Sequence, residues 1–254
     1  MNSSIAYSMN QFNYNQNWNN FMENEDDRYC IYNKQRLPTF LYVNTICFFG
    51  IYLCDFFINK ICKQSRWFML HAVTNIAISY ITIQDVISCI LQPSHSSQQP
   101  SMLFVGNIAF MLHLYHCIMF KLRLQDWLHH ILSCFIFIPT CMNYTSKGLS
   151  VFYFFCTGFP GAIDYMYLSL EKEKFIAKKK RKQMTSFINA YIRMPGGIMA
   201  SSLLFKDSII CYQRKFIGVD LNILSIMIYI NSCFYAKQAM ESYGGYKAIH
   251  NKRC

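Results

Sequence analysis

Seven apolar runs of about twenty residues each constrain this chain more than any other feature of its sequence. They cover residues 39–59, 67–91, 102–120, 127–144, 149–170, 186–205 and 216–236. A helix of about twenty apolar residues matches the hydrocarbon core of a bilayer, because each residue adds about 1.5 Å. The sequence therefore predicts an all-α fold, a polytopic transmembrane helical bundle of about seven spans.

The sixth run is the weakest of the seven. It contains Arg193 and the triplet Pro195-Gly196-Gly197, and proline inside a helix removes a hydrogen bond and clashes with the preceding turn. Two alternatives follow. The run crosses the membrane despite this triplet, or it is re-entrant and the last helix is inverted.

The overall composition agrees with a membrane protein and argues against a nucleic-acid-binding one. Hydrophobic residues make up 53% of the chain and charged residues only 15%, whereas soluble domains carry about 25% charged residues. The net charge of +11 comes from lysines and arginines in the loops between apolar runs, where such residues set topology. The twelve cysteines form no CxxC pair and no zinc-ligand spacing, so neither a disulfide framework nor a metal site is predicted.

The chain divides into three parts. Residues 1–37 are polar, rich in asparagine, serine, glutamine and tyrosine, and predicted to be a disordered tail without a cleavable signal. Residues 38–237 hold the apolar runs and form the transmembrane domain. Residues 238–254 are predicted to be a short cytosolic tail.

The charged loops predict an orientation for the bundle. The first, third and fifth loops are basic, the second has no lysine or arginine, and the fourth has only Lys147. Basic loops stay in the cytosol, which places the N-terminus in the lumen and the C-terminus in the cytosol. The run from Lys178 to Lys182 in the fifth loop is explained by topology alone, although it also suits anionic lipid headgroups.

Polar residues of this bundle concentrate near the cytosolic ends of the spans. The candidate site residues, listed in chain order, are His71, Asn75, His113, His116, Asp126, His129, His130 and Asp164. They include five of the seven histidines, which the predicted topology places in one half of the membrane. Because ionisable groups in hydrocarbon are costly and usually face protein or a watered cavity, this convergence predicts a site.

Two interpretations of the histidines remain open. As neutral imidazoles they can act as general bases, and a carboxylate such as Asp164 can orient the base. Alternatively, each histidine makes interhelical hydrogen bonds in a packed bundle. Asn75 lies four residues after His71 and shares its helix face, so it is expected to line the same cavity.

Three stretches of this sequence resemble the TLC superfamily. They are RWFMLHAVTN at 66–75, DWLHHILS at 126–133 and FPGAIDYMYL at 159–168, and the second contains the paired histidines that mark the family. The resemblance implies a helical bundle with a lipid-accessible cavity, usually in the endoplasmic reticulum. Ceramide synthases of this superfamily carry a His-Asp pair where this chain has Pro160-Gly161, so the chain is more similar to members outside that branch.

The resemblance implies a protein that binds or handles membrane lipids, in lipid homeostasis or trafficking. The alternative is a divergent acyltransferase that uses His129 or His130 as the base, Asp164 to orient it and acyl-CoA as co-substrate, with no other cofactor. A histidine-ligated iron hydroxylase would need more grouped histidines than one HxxH and one HH. A transporter or channel is disfavoured because the sequence has no internal repeat.

Overall fold

The structure is a computed structural model that describes residues 31–32, 37–98, 100–101, 104–142, 144–213 and 219–251. Most of the predicted disordered tail, residues 1–30 and 33–36, lies outside these ranges. The side chains of Asp126 and His129 also lie outside the described part of the chain.

The described chain is helical apart from one short strand pair. The helices are α1 (Leu37–Ile61), α2 (Arg66–Leu91), α3 (Val105–Met119), α4 (Leu124–Leu132), α5 (Ile138–Met142), α6 (Lys147–Phe152), α7 (Phe159–Lys172), α8 (Lys178–Ile188), α9 (Met194–Gln213) and α10 (Val219–Asn251). A 3₁₀ turn follows α2 at Pro93–Ser97. The strands β1 (Ile31–Tyr32) and β2 (Tyr144–Thr145) pair antiparallel, with Ile31 opposite Thr145. The predicted all-α class is confirmed.

Three π-helical turns join helices into longer rods. Ser133–Phe137 joins α4 to α5, Tyr153–Gly158 joins α6 to α7, and Asn189–Arg193 joins α8 to α9. Within the described ranges the helices therefore form seven rods, one for each apolar run of the sequence. The last rod, α10, continues as a helix to Asn251, well beyond the apolar run that ends at residue 236.

Two helices of the described chain are long and apolar enough to cross a membrane. They cover Pro38–Ile61 and Arg66–Leu91, and the apolar helices Val105–Met119 and His130–Met142 are shorter. Large apolar side chains on α1 point away from the protein: Tyr42 is 68% exposed and Phe49 60% exposed. An extended exposed apolar surface marks contact with a membrane or another protein. Together these features support membrane association.

Helix α2 lies at the centre of the bundle, where it contacts α1, α3, α6 and α7. Its buried residues include Leu70 and Ala72 near one end and Ile78 and Val86 further along. The core on one side of α2 joins α1 and α3, and the larger core on the other side reaches α6, α9 and α10. Groups carried by α2 can therefore meet residues from most of the other helices.

The sixth apolar run forms an unbroken rod from α8 through α9, so its proline-glycine triplet does not break the helix as the sequence suggested. The π turn Asn189–Arg193 ends just before Pro195, and a local π turn re-spaces the backbone carbonyls with which a proline ring would clash. Gly196 allows close packing, because a Cβ atom there would lie 2.1 Å from Cδ1 of Phe155.

The loops gather at two ends of the bundle. At one end the first, third and fifth loops meet: Ser65 Oγ donates to Glu173 Oε1 at 2.7 Å, and the Arg66 guanidinium lies 5.0 Å from the Phe120 ring centroid. We call this the basic end. At the opposite end Lys147 Nζ donates to Gln98 Oε1 at 3.0 Å, which joins the second and fourth loops. The helices thus alternate in direction.

Candidate functional site

Four histidines lie in contact near the basic end of the bundle. His71 comes from α2, His113 and His116 from α3, and His130 from α4. The ring centroids of His71 and His116 are 4.2 Å apart, those of His113 and His130 are 5.0 Å apart, and those of His116 and His130 are 5.7 Å apart. All four side chains are buried. We call this group the histidine cluster.

Aromatic rings hold two of these imidazoles in a column. Trp67 stacks on His116 with centroids 4.8 Å apart and planes 8° apart. Tyr165 of α7 stacks on His71 at 4.2 Å and 7°. The column therefore runs Trp67, His116, His71, Tyr165, and it fixes the planes of the two central rings.

The hydrogen bond of His113 determines which of its ring nitrogens carries a proton. His113 Nδ1 lies 2.7 Å from the carbonyl oxygen of Ala109. A carbonyl oxygen only accepts, so Nδ1 must be the donor, and Nε2 of the neutral imidazole is then an acceptor. His113 thus presents a basic nitrogen within the cluster.

His116 is the most enclosed member of the cluster, with 0% of the residue exposed. Neither of its ring nitrogens has a hydrogen-bond partner among the residues that the structure describes. Buried polar atoms almost always have a partner, and exceptions point to a water, an ion, a ligand or a catalytic role. His116 therefore has two buried ring nitrogens that a water, an ion or a ligand could satisfy.

A second polar group lies next to the histidine cluster and consists of the buried residues Asp164 and Asn189 and the partly buried Arg193. Asn189 Nδ2 donates to Asp164 Oδ2 at 2.8 Å, and Arg193 Nη1 donates to Asn189 Oδ1 at 2.6 Å. Arg193 Nη1 also lies 3.2 Å from Asp164 Oδ2. We call these three residues the acid–arginine centre. It joins α7 to the π turn before α9.

Asn75 and Tyr165 connect the two groups. Tyr165 follows Asp164 on α7 and stacks on His71. A Cβ atom on Gly161 would lie 2.7 Å from Asn75 Nδ2 and 3.6 Å from Arg193 Nη2. Glycine at position 161 therefore leaves room for the Asn75 amide beside the guanidinium, and the two polar groups form one continuous region.

The structure brings together most of the site residues that the sequence proposed. His71, Asn75, His113, His116 and His130 line this region, and Asp164 lies beside it. Asp164 accepts a hydrogen bond from Asn189 and pairs with Arg193, whereas the sequence suggested that it orients a histidine.

Sequence reasoning did not assign Asn189 and Arg193 to the site. Arg193 was noted only as a weakness of the sixth run. A charged residue inside an apolar run is itself a signal of function, and Arg193 carried that signal. Asn189 could be linked to it only by the four-residue spacing that places both on one helix face.

Asp55 is a further buried acid that the sequence analysis overlooked. It accepts from Arg66 Nε at 2.6 Å and from the Tyr115 hydroxyl at 2.5 Å, and Arg66 Nη2 pairs with its second oxygen. This contact ties α1, α2 and α3 together next to Trp67. Its sequence signal was an aspartate inside the first apolar run.

A metal ion in the polar region would need several ligand side chains that converge on one point. Among the described residues, no group of three or more histidines, cysteines, aspartates or glutamates is arranged to hold a metal ion. The four imidazoles of the cluster contact one another mainly through their ring faces and edges.

Comparison with known proteins assigns the chain to no family. No family model, no curated protein and no solved structure matches it. The resemblance to the TLC superfamily stays a prediction based on three short stretches.

Proposed function

We propose that this chain is a multi-pass membrane protein of TLC type, with about seven spans, that binds the polar end of a membrane lipid at the histidine cluster. It would act in lipid homeostasis or trafficking in the endoplasmic reticulum. One observation carries the proposal: buried imidazoles and the acid–arginine centre form a polar region inside an apolar bundle, and several of their polar atoms lack partners among the described residues.

The free-energy cost of burying these unpartnered polar atoms supports a bound polar group. A buried polar atom without a hydrogen bond costs about 1–3 kcal/mol. His116 is fully buried and both of its ring nitrogens are unpartnered within the described chain. A lipid polar end that reaches the cluster would supply the missing partners, while its acyl chains would contact the exposed apolar surface of helices such as α1.

The basic end suits the cytosolic face of an anionic membrane. Lys178, Lys179 and Lys180 are exposed at the start of α8, whereas Arg181 donates to Glu171 Oε2 at 2.6 Å. Phe175, just before them, is 77% exposed. We propose that the run 178–182 contacts anionic headgroups through its exposed lysines and that Phe175 inserts at the interface.

Native mass spectrometry with lipid extraction on the protein in mild detergent tests the lipid-binding proposal. The informative variant is His116→Phe, which keeps a ring to stack on Trp67 but removes both ring nitrogens. The wild type is expected to retain a lipid and His116→Phe to lose most of it. His95→Gln, in the 3₁₀ turn at the opposite end, is the matched control and is expected to retain it. Wild-type protein without lipid, or full retention by His116→Phe, would contradict the proposal.

The geometry of His113 favours a second candidate function, acyl transfer from acyl-CoA to a lipid hydroxyl or amine. His113 Nε2 would take the proton of the nucleophile, which attacks the thioester carbonyl carbon. The new ester or amide bond forms as the carbon–sulfur bond breaks, and the proton passes to the departing CoA thiolate. His130, whose ring lies 5.0 Å from that of His113, and His129 are the other candidate bases.

The variant His113→Asn separates this function from simple binding. The Asn amide can still donate to the Ala109 carbonyl, but it has no basic nitrogen. If the protein transfers acyl groups, the variant should lose activity by about 10²–10⁴-fold while retaining its lipid. Absence of transfer from radiolabelled acyl-CoA by wild-type protein in liposomes would eliminate this candidate.

A further inference from the structure

We propose that the acid–arginine centre recognises a neutral lipid hydroxyl. The inference rests on the proposed function and names the chemical class of its ligand. Buried aspartates of this bundle differ in how many of their carboxylate oxygens are hydrogen-bonded. Asp55, Asp85 and Asp164 are all buried, yet they differ in how their oxygens are bonded.

In Asp55 and in Asp85, both carboxylate oxygens accept hydrogen bonds. Arg66 Nε reaches Asp55 Oδ1 and the Tyr115 hydroxyl reaches Oδ2. Ser101 Oγ donates to Asp85 Oδ1 at 2.7 Å and Ser150 Oγ donates to Oδ2 at 2.7 Å. Asp55 and Asp85 thus have partners for both of their carboxylate oxygens.

Asp164 departs from this pattern. Its Oδ2 is bonded by Asn189, but its Oδ1 is buried without a partner among the described residues, and so is Nε of Arg193. The Thr185 side chain also lies within hydrogen-bonding reach of the same carboxylate. A buried ion pair offsets its desolvation only when its remaining hydrogen bonds are made. The centre therefore has one acceptor atom and one donor atom that are not paired with each other or with another described residue.

The charge of the centre selects a neutral ligand. The Asp164 carboxylate and the Arg193 guanidinium offset each other, since Nη1 lies 3.2 Å from Oδ2. A phosphate would bring an uncompensated negative charge next to Asp164 in the buried region, and an amine would bring a positive charge next to Arg193. Either excess charge is costly in a low-dielectric setting.

The two open atoms need opposite hydrogen-bonding partners, a donor for Asp164 Oδ1 and an acceptor for Arg193 Nε. Asp164 Oδ1 only accepts, and Arg193 Nε–H only donates. A hydroxyl provides one donor and acceptor lone pairs, whereas an ester carbonyl or an ether only accepts. The ligand class is therefore a lipid with a free hydroxyl at its polar end, such as a sterol, a diacylglycerol or a ceramide.

The local backbone here is one of the three π turns of the described chain. Asn189 and Arg193 are the first and last residues of a π-helical turn, and single π turns inside α-helices occur frequently at functional sites. Gly161 of α7 leaves space in which the Asn75 amide lies near Arg193 Nη2. The centre thus joins two rods, and Asn75 of a third rod, α2, lies close to it.

Binding of hydroxyl lipids and of their methyl ethers tests the inference. Tritiated cholesterol, diacylglycerol and ceramide are each compared with the analogue whose hydroxyl groups are methylated, on full-length protein in detergent micelles. At least one hydroxyl lipid is expected to bind about tenfold or more tightly than its ether, because the ether cannot donate to Asp164 Oδ1.

The variant Asp164→Asn/Arg193→Met removes both charges together, so no lone buried charge is left. It should lose the preference for the hydroxyl lipid over its ether. The control Asp55→Asn/Arg66→Met makes the same change at a fully bonded pair and should keep that preference. If the first variant fails to fold, the comparison of the hydroxyl lipid with its ether on wild-type protein is sufficient to test the inference.

The outcomes separate this inference from the proposed function. Three outcomes would overturn the inference but leave lipid binding intact. The wild type could bind the hydroxyl lipid and its ether equally, or the preference for the hydroxyl could survive in the Asp164→Asn/Arg193→Met variant. The protein could also retain only phospholipids without a free hydroxyl. Wild-type protein that binds no lipid of any kind would overturn both.

Discussion

Asp55 shows what a single buried acid does for this bundle. It accepts from Arg66 and Tyr115, and its residue is only 1% exposed. The change Asp55→Ala would leave the Arg66 guanidinium without its partner and Tyr115 without its acceptor. Breaking such a pair costs about 3 kcal/mol. We therefore expect a clear fall in the melting temperature of the detergent-solubilised protein.

An exposed ion pair is the comparison for this prediction. Lys237 and Glu241 lie one turn apart on α10, 73% and 67% exposed, with Nζ 3.8 Å from Oε1. Exposed pairs contribute little, so Glu241→Ala should change stability by less than about 0.5 kcal/mol. Equal effects of the two substitutions would show that Asp55 does not anchor α1 to α2 and α3.

We expect Asp207 to make the stability of the protein depend on pH. It lies just beyond the sixth apolar run, accepts from Ser96 Oγ at 2.8 Å and has Lys206 Nζ 3.8 Å away. Burial raises the pKa of Asp207 from 3.8 to about 6. The folded state therefore binds this proton more tightly than the unfolded state, and the associated stability is lost as the pH rises through 6.

The variant Asp207→Asn removes this titration and keeps an oxygen that can accept from Ser96. The melting temperature of the variant minus that of the wild type should be about 4 °C larger at pH 7.5 than at pH 4.5. Thermal melts of both proteins at the two pH values measure this. A difference that is the same at both pH values would mean that Asp207 has no raised pKa in the folded protein.

At the scale of the helices, two glycines with opposite surroundings give opposite predictions. Gly196 faces Phe155, where an added Cβ would lie 2.1 Å from the ring, whereas Gly245 on α10 has nothing within 4 Å of the same position. Gly196→Ala should destabilise the protein, because α9 would have to move away from the rod that carries Phe155. Melting temperatures in detergent measure the change.

Gly245→Ala is the matched control for this prediction. It should stabilise the protein by about 0.5–1 kcal/mol, because alanine loses less backbone freedom than glycine in a helix. The double variant Gly196→Ala/Phe155→Ala should recover part of the loss if the contact is the cause. A neutral Gly196→Ala would mean that α9 does not pack closely against this ring.

At the scale of the whole molecule, the number of spans decides where the two ends of the chain lie. Seven spans would place the N-terminus and the C-terminus on opposite sides of the membrane, and the basic loops predict a cytosolic C-terminus. In sealed microsomes, protease should remove a C-terminal tag and leave an N-terminal tag protected, and the protein should resist alkaline extraction. Both tags on one side would contradict seven spans.

Several properties of this protein follow from the sequence alone. The apolar runs predicted helices, because only a helix pairs every backbone donor and acceptor within one apolar segment. The alternation of basic and uncharged loops placed the first, third and fifth loops at one end, where Ser65 and Glu173 meet. Because helix direction alternates, the same reasoning brought His71, His113, His116 and His130 to one level of the bundle.

Only the tertiary structure decided which side chains touch at that level. Spacing along one helix relates His71 to Asn75, but it carries no information on the stacking of His71 against Tyr165 from another rod. The partners of Asp164 depend on a π turn, and the Pro195 triplet stays helical beside it. These contacts join residues far apart in sequence, and they depend on how each rod is rotated about its axis. The hydrophobic pattern defines that rotation too coarsely to position individual atoms.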